Sequence, residues 1–457
     1  MFKGFFNFKI FLLILLFVIW SALFGSLLKH HYNGGENFRF LQNIALSIAE
    51  IPNAAEDMIE LVIEGKKPNL NKPSILTKHK NKKRFERFID NKRNALLVLP
   101  RYDNSLSRSV VDVVDLNNFE VIHTYNHDIA EMNNKVKNTD EFPRLKIDDS
   151  LIRFEYRHPL LLEDGSIISD SDYSVEFKID FCSNLQWINQ EEIFHHSKMF
   201  DHEGNIWIGG QMNPKSQYVT KYSTKKYMDD SIIKINTDGE ILFNKSVTEI
   251  LIENRLVDEN IFTIVDENIL ATRSIDPIHL NDIEPAFTDT EYWKQEDVFL
   301  SLKHQSTIIH YRPSTNKVIN YITGPFAQQH DVDIISDKEI SIFNNNNFFV
   351  NNEYSEVVIY NFETKKFRKL FNEQLQKENF KTISNGLSHI FQDGSLMVEE
   401  TLHGRIILFN NRGEKEWEFV NKDKNGDIGR VTWSRVIEDE LFIEKFKSLV
   451  KNKKCLN

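Results

Sequence analysis

The chain is poor in the residues that build covalent or metal-thiolate scaffolds. Its 457 residues include two cysteines, Cys182 and Cys455, and no CxxC pair. That spacing excludes a disulfide framework and a thiolate metal centre. A bridge between the two is not expected either, because Cys455 sits in a terminus of the kind that usually stays mobile. Packing alone is expected to hold the fold. Positive charge is also in short supply: the formal net charge is −11 and the isoelectric point lies near 5.8. Nucleic-acid binders, whose basic footprint raises the isoelectric point well above neutrality, are thereby excluded. No HExxH spacing occurs, so neither a metal nor another cofactor is expected. Helical periods between strand-like segments are missing too, which disfavours a parallel α/β fold.

What the chain does contain begins with an uncharged run. Ile10 to Leu28, rich in Leu, Phe and Ile, lies between Lys9 and Lys29, about the length that spans a bilayer core as a helix. Lys3 and Lys9 leave the N-terminus of such a helix in the cytoplasm. Trp20-Ser-Ala-Leu-Phe-Gly-Ser-Leu offers no A-x-A-like cleavage site. Residues 1–36 are therefore expected to form an uncleaved membrane anchor, with the body exported to the periplasmic or extracellular side. Residues 37–93 read as juxtamembrane helices over Phe38 to Glu64, broken near Pro52, and a basic linker from Lys66 to Arg93.

Residues 94–457 read as one all-β domain. A histidine recurs ahead of the same short turn: His158 before Leu162-Glu-Asp-Gly-Ser, His195-His196 before Phe200-Asp-His-Glu-Gly-Asn, His330 before Ile335-Ser-Asp-Lys-Glu, and His389 before Phe391-Gln-Asp-Gly-Ser. Asp-Gly between alternating apolar runs is a strong hairpin signal. Pairing each such hairpin with the next gives four-stranded units at about 94–126, 150–190, 193–250, 260–323, 327–372 and 384–421. Repetition of this kind predicts a six-bladed β-propeller, with seven blades if Lys422 to Ile443 closes another. Two aromatic excursions, Gly209 to Asp230 and Ile283 to Val298, either grip a ligand or cap blade ends.

Inner strands of a propeller converge on its axis, so His195, His196, His279, His330 and His389 are expected to face one ligand. Imidazole serves there as nucleophile, general acid or oxyanion donor. His158 reads as structural, and His123, His127, His202 and His310 as solvated.

Three segments carry a resemblance: Asp276-Pro-Ile-His-Leu-Asn-Asp-Ile-Glu, Phe299-Leu-Ser-Leu-Lys-His-Gln-Ser-Thr, and Phe326-Ala-Gln-Gln-His-Asp-Val-Asp. With the closing stretch around Gly386-Leu-Ser-His-Ile-Phe, they make residues 150–437 similar to the bacterial PAPS-independent arylsulfotransferase family. The resemblance implies sulfuryl transfer from an aryl sulfate ester to a phenol through a sulfohistidine intermediate. It makes His389 the nucleophile, with His403 as its competitor, and His279 and His330 the donors to the sulfate and leaving oxygens. Asn281, Asp282 and Asp331 would orient imidazoles, and His195, His196 and His304 would contact substrate. The family's arginine after the Gln-His-Asp element is absent, since none occurs between Arg312 and Arg368. Lys303 or Arg405 would have to replace it. The partners implied are a small aryl sulfate and a phenol, with the membrane held through the N-terminal helix. Two other readings remain open. One is a non-enzymatic membrane-anchored propeller that binds a partner or polysaccharide; the other is a hydrolase or lyase acting on sulfated or acidic polysaccharide.

Overall fold

A computed structural model describes residues 8–32, 40–41, 44–45, 48, 78–137, 141–142, 144–145, 153–223, 227–262, 275–346 and 354–455. Two units separate: residues 1–70 with 264–271, and residues 71–263 with 272–457. The first contains a helix, Phe8–Tyr32, where the uncharged run predicts one. Among the described residues no helix is long and apolar enough to cross a membrane, so the expected anchor is not supported. Most of the predicted juxtamembrane helices and the start of the basic linker lie outside the described residues.

The second unit is all-β in plan, and its strands explain its shape. Blade 1 joins Leu96–Asp103, Arg108–Asp115 and Glu120–Tyr125 to an inner strand from the far end of the chain, Arg435–Ile437. Blade 2 comprises Arg157–Leu161, Ile167–Asp170, Ser174–Ile179 and the start of the long strand Leu185–Phe200. That long strand pairs first with Ser174–Ile179 and then, from Ile193, with Ile206–Gln211. It thus also opens blade 3, which continues through Asp230–Ile235 and Ile241–Ser246. Blade 4 is Leu280–Pro285, Val298–Leu302, Thr307–Arg312 and Lys317–Ile322; blade 5 is Val332–Ile334, Glu339–Asn344, Glu356–Asn361 and Lys366–Leu370. Blade 6 is Leu387–Ile390, Leu396–Glu400, Arg405–Phe409 and Lys415–Val420, extended at its outer edge by Phe85–Arg87.

Alternation along each strand sends successive side chains to opposite faces. Leu96 and Val98 pack with Phe154, Tyr156 and Phe177 of the blade 2 side. Leu97 and Leu99, one residue out of phase, pack with Met397, Leu408 and Trp417 of blade 6. The same division repeats: Leu160 and Ile168 meet Phe194 and Ile208, and Ile232 meets Leu300. Phe299 and Ile308 meet Ile340 and Val358, and Val357 and Ile359 meet Val398 and Ile407. Each core joins one blade to the next, and the cores link blade 6 back to blade 1. This is a propeller-like ring.

The Lys422 to Ile443 stretch does not make a seventh blade; its strand Arg435–Ile437 pairs with Leu96–Val98 and completes blade 1. A helix unforeseen in the sequence follows, Glu440–Asn452, capped by the Asp439 side chain. It buries Ile443 and Phe446 against the core between blades 1 and 2. Just beyond it, Cys455 is disulfide-bonded to Cys182, contrary to the expectation of a fold held by packing alone. The aromatic excursions act as caps at two points: Tyr227 is buried with its hydroxyl on Thr248, and Trp293 fills the core between blades 4 and 5.

Cys182 and Cys455 are 273 residues apart, so the bridge removes a large loop entropy from the unfolded chain. Cys455→Ser is expected to lower the unfolding free energy by about 2–4 kcal/mol, measured by urea titration. Equal stability of the two proteins would show that the bridge closes nothing.

Candidate functional site

The inner strands begin with an irregularity that aims side chains at the axis. Pairing slips between Arg157 and Leu160 in blade 2, between His195 and Lys198 in blade 3, and between Leu280 and Asp282 in blade 4. A residue at or just before the start of each of these strands takes a left-handed backbone: His158 at φ 42°, His196 at 65°, His279 at 52°, with Asn385 at 56° and Trp433 at 65° ahead of the inner strands of blades 6 and 1. Bulges of this sort bend a strand and redirect a side chain, commonly beside functional sites.

Three imidazoles meet there. Nε2 of His196 lies 3.2 Å from Nε2 of His279, and the His196 ring stacks 6.5 Å from that of His330. Trp433 walls the group, 6.4 Å from His196 and 6.2 Å from His330. Each member of the facing pair is held from behind. His196 donates through Nδ1 to Asp172 at 3.0 Å, and His279 donates through Nδ1 to the Asp276 carboxylate. Lys303 places its Nζ 3.4 Å from His279 Nε2. With both Nδ1 atoms committed as donors, the two Nε2 atoms can bond only if one proton sits between them.

Asp172 is itself fixed by Arg157 at 3.4 Å and Arg144 at 3.5 Å. Burial opposes its ionisation, but Arg157, His196 and Arg144 outweigh burial and hold the carboxyl well below its usual range. Burial pushes the His196 imidazole down to about 3, against the pull of Asp172. His304, whose ring is 4.6 Å from His279, is pushed down to about 4 by burial and by His279.

His330 belongs to the cluster in space but not in freedom. Its Nδ1 donates to Asn345 Oδ1 at 2.6 Å, and its Nε2 accepts the Asn385 N–H at 2.8 Å. Burial holds its imidazole neutral, well below the usual histidine range, with Lys303 and His196 adding to the effect. His195 lies behind the pair, stacked on Tyr173 and facing Asp230 at 3.5 Å.

Other expected site residues stand elsewhere. His389 is four residues beyond the kink of blade 6, packed edge-on against Phe391, with Nε2 3.3 Å from Glu438. It lines a separate cavity of about 120 Å³ with His158, Asp282, Glu284, Asp331, Asp333 and Arg435 among its walls. Asn281, Asp282 and Asp331 orient no imidazole. They accept from or donate to the backbone of the next blade: Asn281 Nδ2 to Gln329 O, Val332 N to Asp282, Ser388 N to Asp331. Those bonds lock neighbouring blades together. Arg405 is buried among Glu378, Glu400 and Glu418, so it replaces no arginine at the centre, and His403 opens on an outer cavity. His127 and His310 are not solvated but buried, on Tyr156 and on Asp297 with Asn320. His123, half-buried, bonds Phe181 O, while His202 is exposed as expected. His158 is structural: Arg435 donates to it at 3.0 Å.

Residues overlooked in the sequence carry much of the geometry. Asp276 has a local signal, three residues before His279. Asp172, Arg157, Asn345 and Arg435 have none, because only blade geometry brings them to the axis.

Residues 165–422 match the family described as arylsulfotransferase (ASST), more than half of the 457-residue chain. No curated protein matches the chain. Among solved structures, a protein of unknown function from Bacteroides caccae is similar at a TM-score of 0.45 and 10% identity, over 76% of this chain and 100% of that one. Virginiamycin B lyase from Staphylococcus aureus is similar at 0.32 and 12%, over 60% and 72%. Kuenenia stuttgartiensis hydrazine synthase is similar at 0.38 and 10%, over 66% and 70%.

The His196 ring is expected to stay neutral from pH 7 down to about pH 4, read by nitrogen chemical shifts of labelled histidine. Its folded value lies below the ordinary 6.5, so the unfolded chain takes up the proton first. The stability it contributes is present above pH 6.5 and is lost as the pH falls toward 3. Protonation of this ring near pH 6.5 would contradict the burial argument.

Proposed function

Because the chain belongs to the arylsulfotransferase family, we propose that it moves a sulfuryl group from an aryl sulfate ester to a phenol at the His196–His279 pair. The observation that carries this reading is the opposition of two Nε2 atoms, each ring backed by its own carboxylate. Two imidazoles sharing one proton supply a nucleophile and an acid together.

His196, kept neutral by burial, attacks sulfur through Nε2. The N–S bond forms as the S–O bond to the aryl group breaks, and the departing oxygen takes the electron pair and the proton held on His279 Nε2. In the second half the acceptor phenol attacks sulfur, gives its proton back to His279, and the N–S electron pair returns to His196. Lys303 steadies the non-bridging sulfate oxygens, as preorganised cations do where charge develops. The rings must part to admit the sulfuryl group, and His279, the more exposed of the two, is the one with room to turn.

This reading moves the nucleophile from His389 to His196 and keeps His279 as the acid. His330 becomes a positioning residue that ties Asn345 to Asn385. Export of the body fits the same account, since disulfides such as Cys182–Cys455 persist in oxidising compartments. A binding-only propeller is favoured by one observation, that Asn345 rather than an arginine backs His330, which costs the centre a bidentate guanidinium.

Full-length protein incubated with 4-nitrophenyl sulfate and a phenol is expected to transfer the group. His196→Ala lowers the rate by about 10³-fold or more, and Lys303→Ala by about 10²-fold. His279→Ala slows phenyl sulfate more than 4-nitrophenyl sulfate, whose leaving group needs no proton. His389→Ala leaves transfer near wild type. Activity that survives His196→Ala but not His389→Ala sinks the assignment, and no transfer by the wild type favours the binding-only alternative.

A further inference from the structure

A second cavity opens beside blade 6, between the segment that enters it from blade 5 and the one that leaves it toward blade 1, and neither the blade packing nor the histidine pair accounts for it. Its volume is about 400 Å³, within the range of roughly 300–1,000 Å³ typical of small-molecule sites. Its walls are Lys78, Asn379, Lys381, Ile383, Leu402, His403 and Arg430. The chemistry of that lining is two-sided. Ile383, 61% exposed, offers bare apolar surface, and Leu402 adds to it. Lys78, Lys381 and Arg430 surround the apolar part with positive charge.

Two carboxylates near the cavity offset part of that charge. Glu400 is fully buried and already accepts from His79 and Lys78, with Arg405 at 3.6 Å. Glu155 faces Arg430 at 3.8 Å. Neither carboxylate is among the residues that line the cavity. His403 completes the lining with an imidazole that burial keeps below the usual histidine range, so it adds a neutral polar ring rather than a further charge.

We infer that this cavity binds an amphiphilic organic anion, an aromatic or alkyl body bearing a sulfate, sulfonate or carboxylate. The apolar body covers Ile383 and Leu402, and the anionic head meets Lys381 and Arg430. Two short connections run from the cavity wall toward His330 and Trp433. Asn345 binds the carbonyls of Thr382 and Asn385 on either side of Ile383, and Trp433 follows Arg430 by three residues. The inference does not need sulfuryl transfer to be correct, because it concerns binding alone.

The probe is 8-anilinonaphthalene-1-sulfonate, whose carbon–sulfur bond cannot enter the transfer reaction. Full-length protein should bind one equivalent saturably by fluorescence and calorimetry. N-phenyl-1-naphthylamine, nearly the same shape without the charge, should bind at least tenfold more weakly. Lys381→Glu and Ile383→Asp should each weaken the sulfonate at least tenfold, and Arg430→Gln severalfold, with unchanged circular dichroism melts. His279→Ala should bind the dye as the wild type does. Absence of saturable binding, equal affinity for the uncharged dye, or indifference to Lys381→Glu and Ile383→Asp would overturn the inference. So would loss of binding in His279→Ala, which would place the dye at the histidine pair.

Discussion

Side chains that alternate along a strand leave every sheet with two apolar faces, and a ring of sheets is one arrangement that buries both. Leu96 and Val98 turn toward one neighbour while Leu97 and Leu99 turn toward the other, and the division recurs from blade to blade. Each core is shared, so the loss of one blade would expose the faces of two others. Closure is therefore the critical step. The chain secures it three times over: Arg435–Ile437 completes blade 1, Phe85–Arg87 edges blade 6, and Cys182 holds Cys455 just beyond the last helix.

A closed ring also creates an axis lined by the starts of six inner strands, where polar groups are dry and must satisfy one another. Asp172 and Asp276 hold two imidazoles with their Nε2 atoms 3.2 Å apart. Further along the inner strands Asp282, Glu284, Asp331 and Asp333 crowd around Arg435. Burial pushes Asp282 up to about 7 and Asp333 up to about 6. It also lowers Arg435 to about 10, even with those carboxylates beside it. Asp282 and Asp331 spend their remaining lone pairs on backbone N–H groups of the next blade. The same residues that look catalytic in a short motif are thus part of the mechanical link between blades, and removing one would leave a buried donor unpaired.

Much of the ring was legible because its signals are local. Period-two alternation and Asp-Gly turns delimit most blades to within several residues, although blade 4 begins at Leu280, well after the expected 260; His196 and His330, which precede such turns, come together with His279. What escaped was non-local or small. Arg435–Ile437 is three residues long and too short to show alternation. The Glu440–Asn452 helix keeps only Ile443 and Phe446 fully buried, a weak stripe amid charge. Cys455 was discounted as terminal, although that helix carries it to Cys182. His389 stands apart from the facing pair: the left-handed residue ahead of the first strand of blade 6 is Asn385, and the histidine four residues later lines the acidic cavity. Asp172 shows the limit from the other side, since a carboxylate 24 residues from its imidazole leaves no trace in a spacing pattern.

The account stands on His196 as the group that receives sulfur. Rapid quenching of the protein with an aryl sulfate, in the absence of acceptor and at alkaline pH, followed by peptide mass spectrometry, locates the adduct directly. The sulfuryl group is predicted on the peptide that contains His196, and its yield should vanish in Asp172→Ala, where the ring loses its support. An adduct on His389, or on no histidine at all, would contradict the facing pair as the reaction centre.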